Sequence, residues 1–253
     1  MKTSQSDSLG RQVRVAWAIA VKDVRTYYTR PASIMFGVLF PFSLFLSFSI
    51  GRNIPAAAQI PILIAQTLFF ASSSIGPVTI PTERGTRTFD RFLTAPVSLL
   101  TVLMGKTLAG LMFGVGISLI PIVVGVIFFA SHITNVAALI VCMALSALGF
   151  SAMGIMFASM PGQGPGEVMM PLNFVRIPLL FISGVYVPVG ELPSWGQALS
   201  LLSPLTHTIE LARYALGGEA FFGPAANIII LGAYTAAFLF VGIRFHIMTQ
   251  RKD

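Results

Sequence analysis

Residues 107–166 read TLAGLMFGVGISLIPIVVGVIFFASHITNVAALIVCMALSALGFSAMGIMFASMPGQGPG, which is 60 positions without an Asp, Glu, Lys or Arg. A membrane-spanning helix needs about 20 mainly apolar residues, so this stretch is long enough for two of them. The polar residues 131–135, SHITN, lie at its midpoint, where the chain can turn. The stretch therefore predicts two consecutive membrane-spanning helices.

Three further uncharged runs extend this prediction to the rest of the chain: residues 31–51, 53–82 and 220–243. Only 10% of the 253 residues are charged and 55% are hydrophobic, whereas a soluble globular protein has about 25% charged residues. The composition predicts an all-α integral membrane protein. We expect six transmembrane helices, at about 32–51, 56–80, 103–129, 134–159, 168–187 and 224–245.

The basic residues are distributed unevenly along the chain. Of the 16 Lys and Arg residues, six precede residue 31, four lie within 83–106 and three follow Ile243. Basic residues beside spans face the cytoplasm, and six spans place all three groups on that side. We therefore predict a multi-pass protein of the cell membrane with both termini cytoplasmic. The net charge of +7 does not indicate nucleic-acid binding, because the chain has no soluble basic domain.

The N-terminal segment, residues 1–30, has no apolar core that would mark a cleavable signal. Residues 1–10 are polar and predict a mobile tail. Beyond them, apolar residues from Val13 to Tyr27 share one helical face and basic residues share another, which predicts an amphipathic helix lying along the membrane interface. Residues 31–253 then form the predicted transmembrane domain.

A short charged module, ERGTRTFDRFLTAPVSLLTVLMGK, occupies residues 83–106. Thr88 is suited to begin a short helix, Phe89 and Phe92 share one face of it, and Pro96 ends it. One interpretation of this helix, near 83–97, is a surface helix that stabilises the loop. The other is a cytoplasmic docking helix that inserts its aromatic face into a partner's groove.

Two short helices are predicted between the last two spans, near 188–218. The first begins at Ser194 and ends at Pro204, and the second ends at Gly217-Gly218. Both are too short to span, so they predict a re-entrant or interfacial helix pair on the extracellular side. Glu210 and Arg213 have the i, i+3 spacing of a helical ion pair.

Arg176 is the candidate site residue inside the membrane, because an ionisable group in a span is costly and usually faces a cavity or a partner. One interpretation is an arginine that reaches the inner headgroups, and the other is a cavity residue that attracts an anionic substrate group. The candidate residues for the substrate path or gate are Arg176, Glu191, Glu210 and Arg213.

The sequence contains no motif of its own for binding and hydrolysing ATP. Gly105-Lys106-Thr107 is not a phosphate-binding loop, because Leu100 stands where that loop needs a glycine. No His, Cys or carboxylate group has metal-ligand spacing, so we expect no metal site and no cofactor. Gly110-x-x-x-Gly114 predicts a close helix approach, either within one subunit or between two.

Two motifs resemble those of ABC type-2 exporter permeases, especially the drug-resistance type. The first comprises Glu83-Arg84-Gly85-Thr86, Phe89-Asp90-Arg91-Phe92-Leu93, Ala95-Pro96-Val97 and Gly105-Lys106; the second comprises PLLFISG at 178–184, Val187-Pro188, Leu192-Pro193-x-Trp195 and Ser203-Pro204-Leu205-Thr206. The resemblance implies a homodimer in the lipid bilayer, docked on cytoplasmic ABC ATPase subunits that bind ATP and Mg²⁺. It also implies which residues couple to the ATPase: Glu83, Arg84, Gly85, Thr86, Phe89, Asp90, Arg91, Phe92 and Pro96.

The sequence therefore predicts the permease subunit of an ATP-driven exporter, itself not an enzyme, which moves an amphipathic drug, lipid or lipid-linked molecule by alternating access. The alternative is an ion-coupled secondary transporter or a channel. Such proteins usually carry carboxylates inside their spans, and none of the nine acidic residues here lies in the middle of a predicted span. A membrane-embedded enzyme would need a cluster of His, Asp or Cys near the interface, which the sequence lacks.

Overall fold

A computed structural model describes residues 3–28, 35–49, 56–88, 97–129, 131–162 and 164–250. Within these ranges the chain is helical and contains no β-strand. The α-helices are α1 (Thr3–Tyr28), α2 (Phe40–Ser49), α3 (Ala56–Gly85), α4 (Leu99–Phe128), α5 (Val136–Phe157), α6 (Pro165–Ile182), α7 (Ser194–Ser200), α8 (Pro204–Ala215) and α9 (Pro224–Gln250).

Four helices of the described chain are long and apolar enough to cross a membrane: Gln59–Gly85, Leu99–Phe128, Val136–Phe157 and Pro224–Thr249. They correspond to the second, third, fourth and sixth predicted spans. The predicted fifth span overlaps α6, which begins three residues earlier, has 18 residues and includes Glu167 and Arg176. The predicted first span lies only partly within the described residues, as a π-helical segment, Met35–Leu39, followed by α2. Six spans therefore remain a prediction.

Several helix ends differ from the prediction. The first helix begins at Thr3, inside the tail predicted over residues 1–10, and no proline interrupts it. The third helix continues past residue 80 to Gly85 although it contains Pro61, Pro77 and Pro81. The loop predicted at 161–166 ends early, because α6 begins at Pro165. Proline is tolerated at the start of a helix, since the N–H that it lacks would have no acceptor within the helix there.

Two polar side chains explain where α4 and α5 begin. The Ser98 hydroxyl accepts a hydrogen bond from the backbone N–H of Thr101 and caps α4. The Asn135 side chain accepts from the N–H of Ala138 and caps α5, at the polar midpoint of the 60-residue uncharged run. Each cap satisfies one of the free N–H groups at a helix start.

Small residues join α3, α4 and α5 into the centre of the fold. A Cβ atom added to Gly110 would overlap the Ser151 hydroxyl, and one added to Gly114 would overlap the Ser72 hydroxyl. The ring of Phe69 on α3 meets that of Phe150 on α5 edge to face, with 4.9 Å between ring centroids. The Gly110-x-x-x-Gly114 motif therefore packs helices within one subunit.

The two short helices between α6 and α9, which are α7 and α8, differ in burial. Trp195 on α7 is exposed, whereas most side chains of α8, among them Leu205 and Ile209, are fully buried. The helix α8 packs against α3, α5 and α9. The αL conformation of Gly217, with φ of 85°, ends α8 as predicted.

Candidate functional site

Four charged side chains from three helices meet where α3 ends and α4 begins. Lys106 Nζ on α4 lies 3.0 Å from Asp23 Oδ2 on α1 and 2.8 Å from Glu83 Oε2 on α3. Lys22 Nζ lies 2.8 Å from Asp23 Oδ1 and 2.5 Å from Glu83 Oε1. We call Lys22, Asp23, Glu83 and Lys106 the ion cluster, and this end of the fold the charged end.

The ion cluster is buried on one side and open on the other. The Lys106 and Asp23 side chains are 0% and 1% exposed, whereas Lys22 is 44% exposed. Lys106 also donates a hydrogen bond of 3.4 Å to the Thr79 hydroxyl. Two lysines thus balance two carboxylates, which is the condition under which buried charges are tolerated.

Gly105 explains why α1 comes close enough to α4 to form the cluster. A Cβ atom at this position would lie 2.7 Å from the carbonyl oxygen of Ala16 and 2.9 Å from Ile19 Cβ. The absence of a side chain therefore lets the two helices touch, and the next residue, Lys106, then reaches Asp23. The Gly105-Lys106 dipeptide is a docking point for α1.

An apolar cluster beside the ions completes the contact. Ile19 of α1 packs with Ile80, Val102, Leu103 and Ile155 from three other helices. By contrast, Val13 and Trp17 of α1 are exposed, at 62% and 56%. The apolar face predicted from Val13 to Tyr27 therefore has two parts, of which only one packs against the protein.

The charge environment keeps Lys22 protonated. Burial lowers its pKa, but the charges and hydrogen bonds of Asp23 and Glu83 outweigh this effect, so its pKa is raised above 10.5. A raised lysine pKa gives a stabilisation that is fully present below the unfolded-state pKa and is lost only as the pH rises through the folded-state pKa. We infer that Lys22 stays charged and paired across the neutral range.

The structure describes the first four residues of the predicted coupling set. Glu83 belongs to the ion cluster, and Arg84 Nη1 donates a 2.8 Å hydrogen bond to the Met160 carbonyl after α5. Gly85 ends α3, and the Thr86 hydroxyl donates to the Thr82 carbonyl at 3.0 Å. The other coupling residues, Phe89, Asp90, Arg91, Phe92 and Pro96, lie outside the described residues.

Sequence reasoning did not single out Asp23, and it considered Lys106 as a basic residue beside a span and as part of a family motif, but not as a member of an ion pair. Two signals were available. Asp23 falls on the same helical face as Ala20 and Ala16, three and seven residues before it, and Lys106 lies inside a long apolar stretch. A carboxylate on the apolar face of one helix and a lysine in the apolar part of another each indicate a buried charge, but they do not identify its partner.

Arg176 lies on α6 and is 0% exposed. Its Nη2 donates to the hydroxyls of Ser73, at 2.5 Å, and Ser74, at 3.1 Å, both on α3. Its Nη1 donates to Asn173 Oδ1 at 3.2 Å, and its guanidinium carbon lies 5.6 Å from the centroid of the Phe70 ring. The side chain therefore connects α6 to α3 inside the protein.

Glu210 is in a separate network at the opposite end. Its Oε1 accepts a 2.8 Å hydrogen bond from Arg213 Nη1, and its Oε2 accepts from the backbone N–H of Phe221. The carboxylate is 1% exposed and holds the turn that follows α8. Glu191 lies in the short 3₁₀ turn Val189–Glu191 and is exposed. The structure therefore places the four candidate residues in different surroundings, with Arg176 bonded to α3 and its own helix and Glu210 bonded to Arg213 and Phe221.

Two histidines of the described chain, His207 and His246, make structural contacts. His207 Nδ1 lies 2.7 Å from Asn227 Oδ1, and His246 Nε2 lies 3.0 Å from the Ile155 carbonyl oxygen. Within the described part of the chain, no group of three His, Cys, Asp or Glu side chains is placed to hold a metal ion.

The apolar helices and the ion cluster define a class of protein. It is a multi-pass helical membrane protein in which buried charges join α1, α3 and α4 next to the segment that connects α3 to α4. The comparison of sequences then gives the family. Residues 14–216 match the model of the ABC-2 type transporter family, which covers most of the chain, and the protein belongs to that family. It is a membrane transport permease of the ABC transporter type.

Three relatives illustrate the similarity. Nodulation protein J of Sinorhizobium fredii is 27% identical over 244 residues, covering 92% of this chain and 90% of that protein. The inner membrane transport permease YadH of Escherichia coli K12 is 24% identical over 132 residues, covering 52% and 51%. The daunorubicin resistance ABC transporter permease protein DrrB1 of Streptomyces coeruleorubidus is 31% identical over 84 residues, covering 33% and 28%.

Proposed function

We propose that this chain is the transport subunit of an exporter driven by a separate ABC ATPase, which binds ATP and Mg²⁺ and docks on residues 83–96 at the charged end. Two copies of the chain form the path for the substrate. The observation that carries the proposal is the ion cluster. Glu83 begins the docking segment, Lys106 follows it, and both pair with charged residues of α1.

The cluster gives the coupling a physical basis. Removing one partner of a buried ion pair costs about 3–5 kcal/mol, so α1, the end of α3 and the start of α4 resist being pulled apart. A displacement of the docking segment is then passed to α3 and α4 as a movement of whole helices. The glycine contacts between α3, α4 and α5 extend the rigid unit into the membrane domain.

In the proposed cycle, ATP brings two ATPase subunits together and moves the two docking segments. The spans then tilt, and the central path changes from inward or lateral access to outward access. This coupling requires the ATPase to bind the two permease conformations with different free energies, because equal affinity shifts no equilibrium.

The orientation follows from charge. The groups of basic residues at both chain termini and within residues 83–106 favour the cytoplasmic side of the cell membrane. Two hydrogen bonds connect the ends of α3, α5 and α9 and so support one location for all three. Arg84 bonds to the Met160 carbonyl after α5, and the Thr249 hydroxyl of α9 bonds to the Ser159 carbonyl. We therefore propose that the charged end is cytoplasmic.

The substrate is proposed to be amphipathic. One relative is named for daunorubicin resistance and another for nodulation. The drug-resistance name favours export, and the two names together do not identify one transported substrate. The membrane-embedded part of the chain presents mainly apolar side chains with isolated polar groups, which suits a molecule with a large hydrophobic part.

The docking proposal is tested by Phe89→Asp and Phe92→Asp. A charged side chain on the apolar face should prevent insertion into the partner's groove, so we expect co-purification with the ATPase to fall at least about tenfold, as for loss of an aromatic hot spot. Membrane insertion should be unchanged. The measurement is the ATPase-to-permease ratio after purification from the membrane, together with substrate-stimulated ATP hydrolysis.

The matched control is Trp195→Asp. Trp195 is 69% exposed on α7, at the opposite end, and an aspartate in the first turn of a helix is favourable. It should leave co-purification intact. Transport that persists in the Phe89 and Phe92 variants, or that runs on an ion gradient without the ATPase, would instead support an ion-coupled carrier.

A second expected result concerns Arg176→Ala. Loss of the bonds to Ser73 and Ser74 should weaken the contact between α6 and α3, since hydrogen bonds to charged groups contribute about 1.5–3 kcal/mol. We expect transport to fall about tenfold while the amount of inserted protein stays the same. The measurement is substrate export normalised to membrane protein level. Unchanged transport would remove the arginine from the mechanism.

A further inference from the structure

A cavity of about 700 Å³ lies at the charged end, between the ends of α5 and α9. Ligand sites in proteins commonly enclose about 300–1,000 Å³, so this space is large enough for a substantial part of a small molecule or a lipid chain. The lining residues are Met156, Phe157, Ser159, Met160, Pro161, Phe245, Met248 and Thr249.

The lining is apolar in its body and polar at one edge. Met160, Phe245 and Met248 are 40%, 49% and 49% exposed, so flexible thioethers and an aromatic ring face the open side. The Thr249 hydroxyl donates to the Ser159 carbonyl at 3.3 Å and marks the polar edge. Such a surface accepts a hydrocarbon chain and leaves polar groups for a head group.

Two arginines flank this cavity. Arg84 donates its 2.8 Å hydrogen bond to the carbonyl oxygen of Met160, a lining residue. Arg244 is exposed, directly precedes Phe245 and lies one helical turn before Met248. Glu167 is the acid that approaches the adjoining loop, where its Oε2 lies 3.0 Å from the Cβ position of Gly162. Two cations beside the lining and one acid beyond the loop favour an anionic ligand.

We propose that this cavity binds an anionic phospholipid of the cytoplasmic leaflet. One acyl chain lies between α5 and α9, and the phosphate group lies by Arg84 and Arg244. Basic pockets between helices at the cytoplasmic side of a membrane are suited to anionic head groups. The inference rests on the proposed orientation of the charged end, and it adds a lipid partner that is separate from the transported substrate.

Such a lipid would lie next to the coupling machinery. Arg84 follows Glu83 of the ion cluster and joins α3 to the end of α5. A bound lipid would therefore stabilise the packing of α3, α5 and α9 at the end where the ATPase docks. Any ligand that binds only the folded state raises the apparent stability in this way.

The test uses the full-length protein in lipid nanodiscs without the ATPase. Two photoactivatable lipids with the same diazirine-bearing acyl chain are compared, one a phosphatidylglycerol and the other a phosphatidylcholine, and the adducts are located by mass spectrometry. We expect adducts within 156–161 and 245–249. Phosphatidylglycerol should label more by about fivefold per arginine that contacts the phosphate.

Met248→Trp narrows the cavity and should reduce labelling by phosphatidylglycerol at least about fivefold, the loss expected when little more than one methylene group of the acyl chain is displaced. Arg244→Gln should reduce labelling by phosphatidylglycerol more than labelling by phosphatidylcholine, because the choline cation already offsets the phosphate charge in the second lipid. The matched control is Ile229→Trp on the same helix, whose native side chain is 71% exposed near the other end. It should leave both lipids unaffected.

Three results would overturn the proposal: equal labelling by the two lipids, adducts found mainly elsewhere, or a Met248→Trp variant that labels like the native chain. Absence of labelling by either lipid would also overturn it, since the cavity would then be filled by another part of a protein chain. The assay contains no ATPase and measures no transport, so these failures leave the exporter proposal standing.

Discussion

Replacement of Lys106 by methionine is expected to lower the free energy of unfolding by about 3–5 kcal/mol, because it removes the buried cation and leaves two carboxylates with the half-exposed Lys22 alone. Lys106 is 0% exposed and lies between Asp23, at 3.0 Å, and Glu83, at 2.8 Å. Methionine nearly fills the same volume, so the loss reports the charge and not a cavity. Thermal and denaturant unfolding of the purified chain in detergent measures the effect.

The matched control for this change is Lys22→Met. Lys22 pairs with the same two carboxylates but is 44% exposed, so water compensates for its loss and we expect a change within about 1 kcal/mol. Combining Lys106→Met with Asp23→Asn should recover part of the lost stability, because one buried charge is removed with its partner. Equal effects of the two lysine variants would contradict the assignment of Lys106 as the buried centre of the cluster.

Gly114→Ala is expected to lower the free energy of unfolding by about 1–3 kcal/mol, the usual cost of forcing extra volume into a packed core. The added methyl group would overlap the Ser72 hydroxyl of α3, so α4 must move away from α3 or the serine must move. Because this contact lies in the rigid unit proposed to carry force from the docking segment, export should fall as well. Unfolding and transport assays on the same preparation measure both effects.

Two companion variants identify the cause of that loss. Gly232→Ala on α9 has no heavy atom within 4 Å of the new Cβ, so it should stay within about 1 kcal/mol of the native chain. Ser72→Gly combined with Gly114→Ala should restore much of the stability, because it removes the atom that the methyl group meets. A double variant as unstable as Gly114→Ala alone would show that the clash is not the reason.

The apolar spans were the most predictable part of the fold. The helices α3, α4, α5 and α9 follow from uncharged runs, because a helix that crosses a bilayer must present about 20 apolar residues whatever it packs against. The cap at Ser98 was predictable for a similar reason, since one side chain and the next turn of backbone form it. The Glu210–Arg213 pair also follows from spacing within one helix.

The family assignment was predictable from the two motifs, and the match over residues 14–216 confirms it. The docking helix itself stays a prediction, because Phe89, Asp90, Arg91, Phe92 and Pro96 lie outside the described residues. The six-span count stays a prediction as well. Four described helices meet the length and hydropathy expected of spans, and the segment with Arg176 is shorter and more polar.

Hydropathy and motif order, read from the sequence alone, determined that this chain is a helical membrane permease of the ABC-2 type. The helical and membrane-spanning character depends on local composition. Lipid requires long apolar segments, and the hydrogen bonds of a helix join residues close together in the chain, so neither depends on distant residues. Only the tertiary structure decided that Asp23 and Lys106, 83 positions apart, form a buried pair, and that Arg176 reaches the serines of α3. A charged side chain carries no mark of its distant partner, because the crossing of two helices depends on how whole surfaces pack.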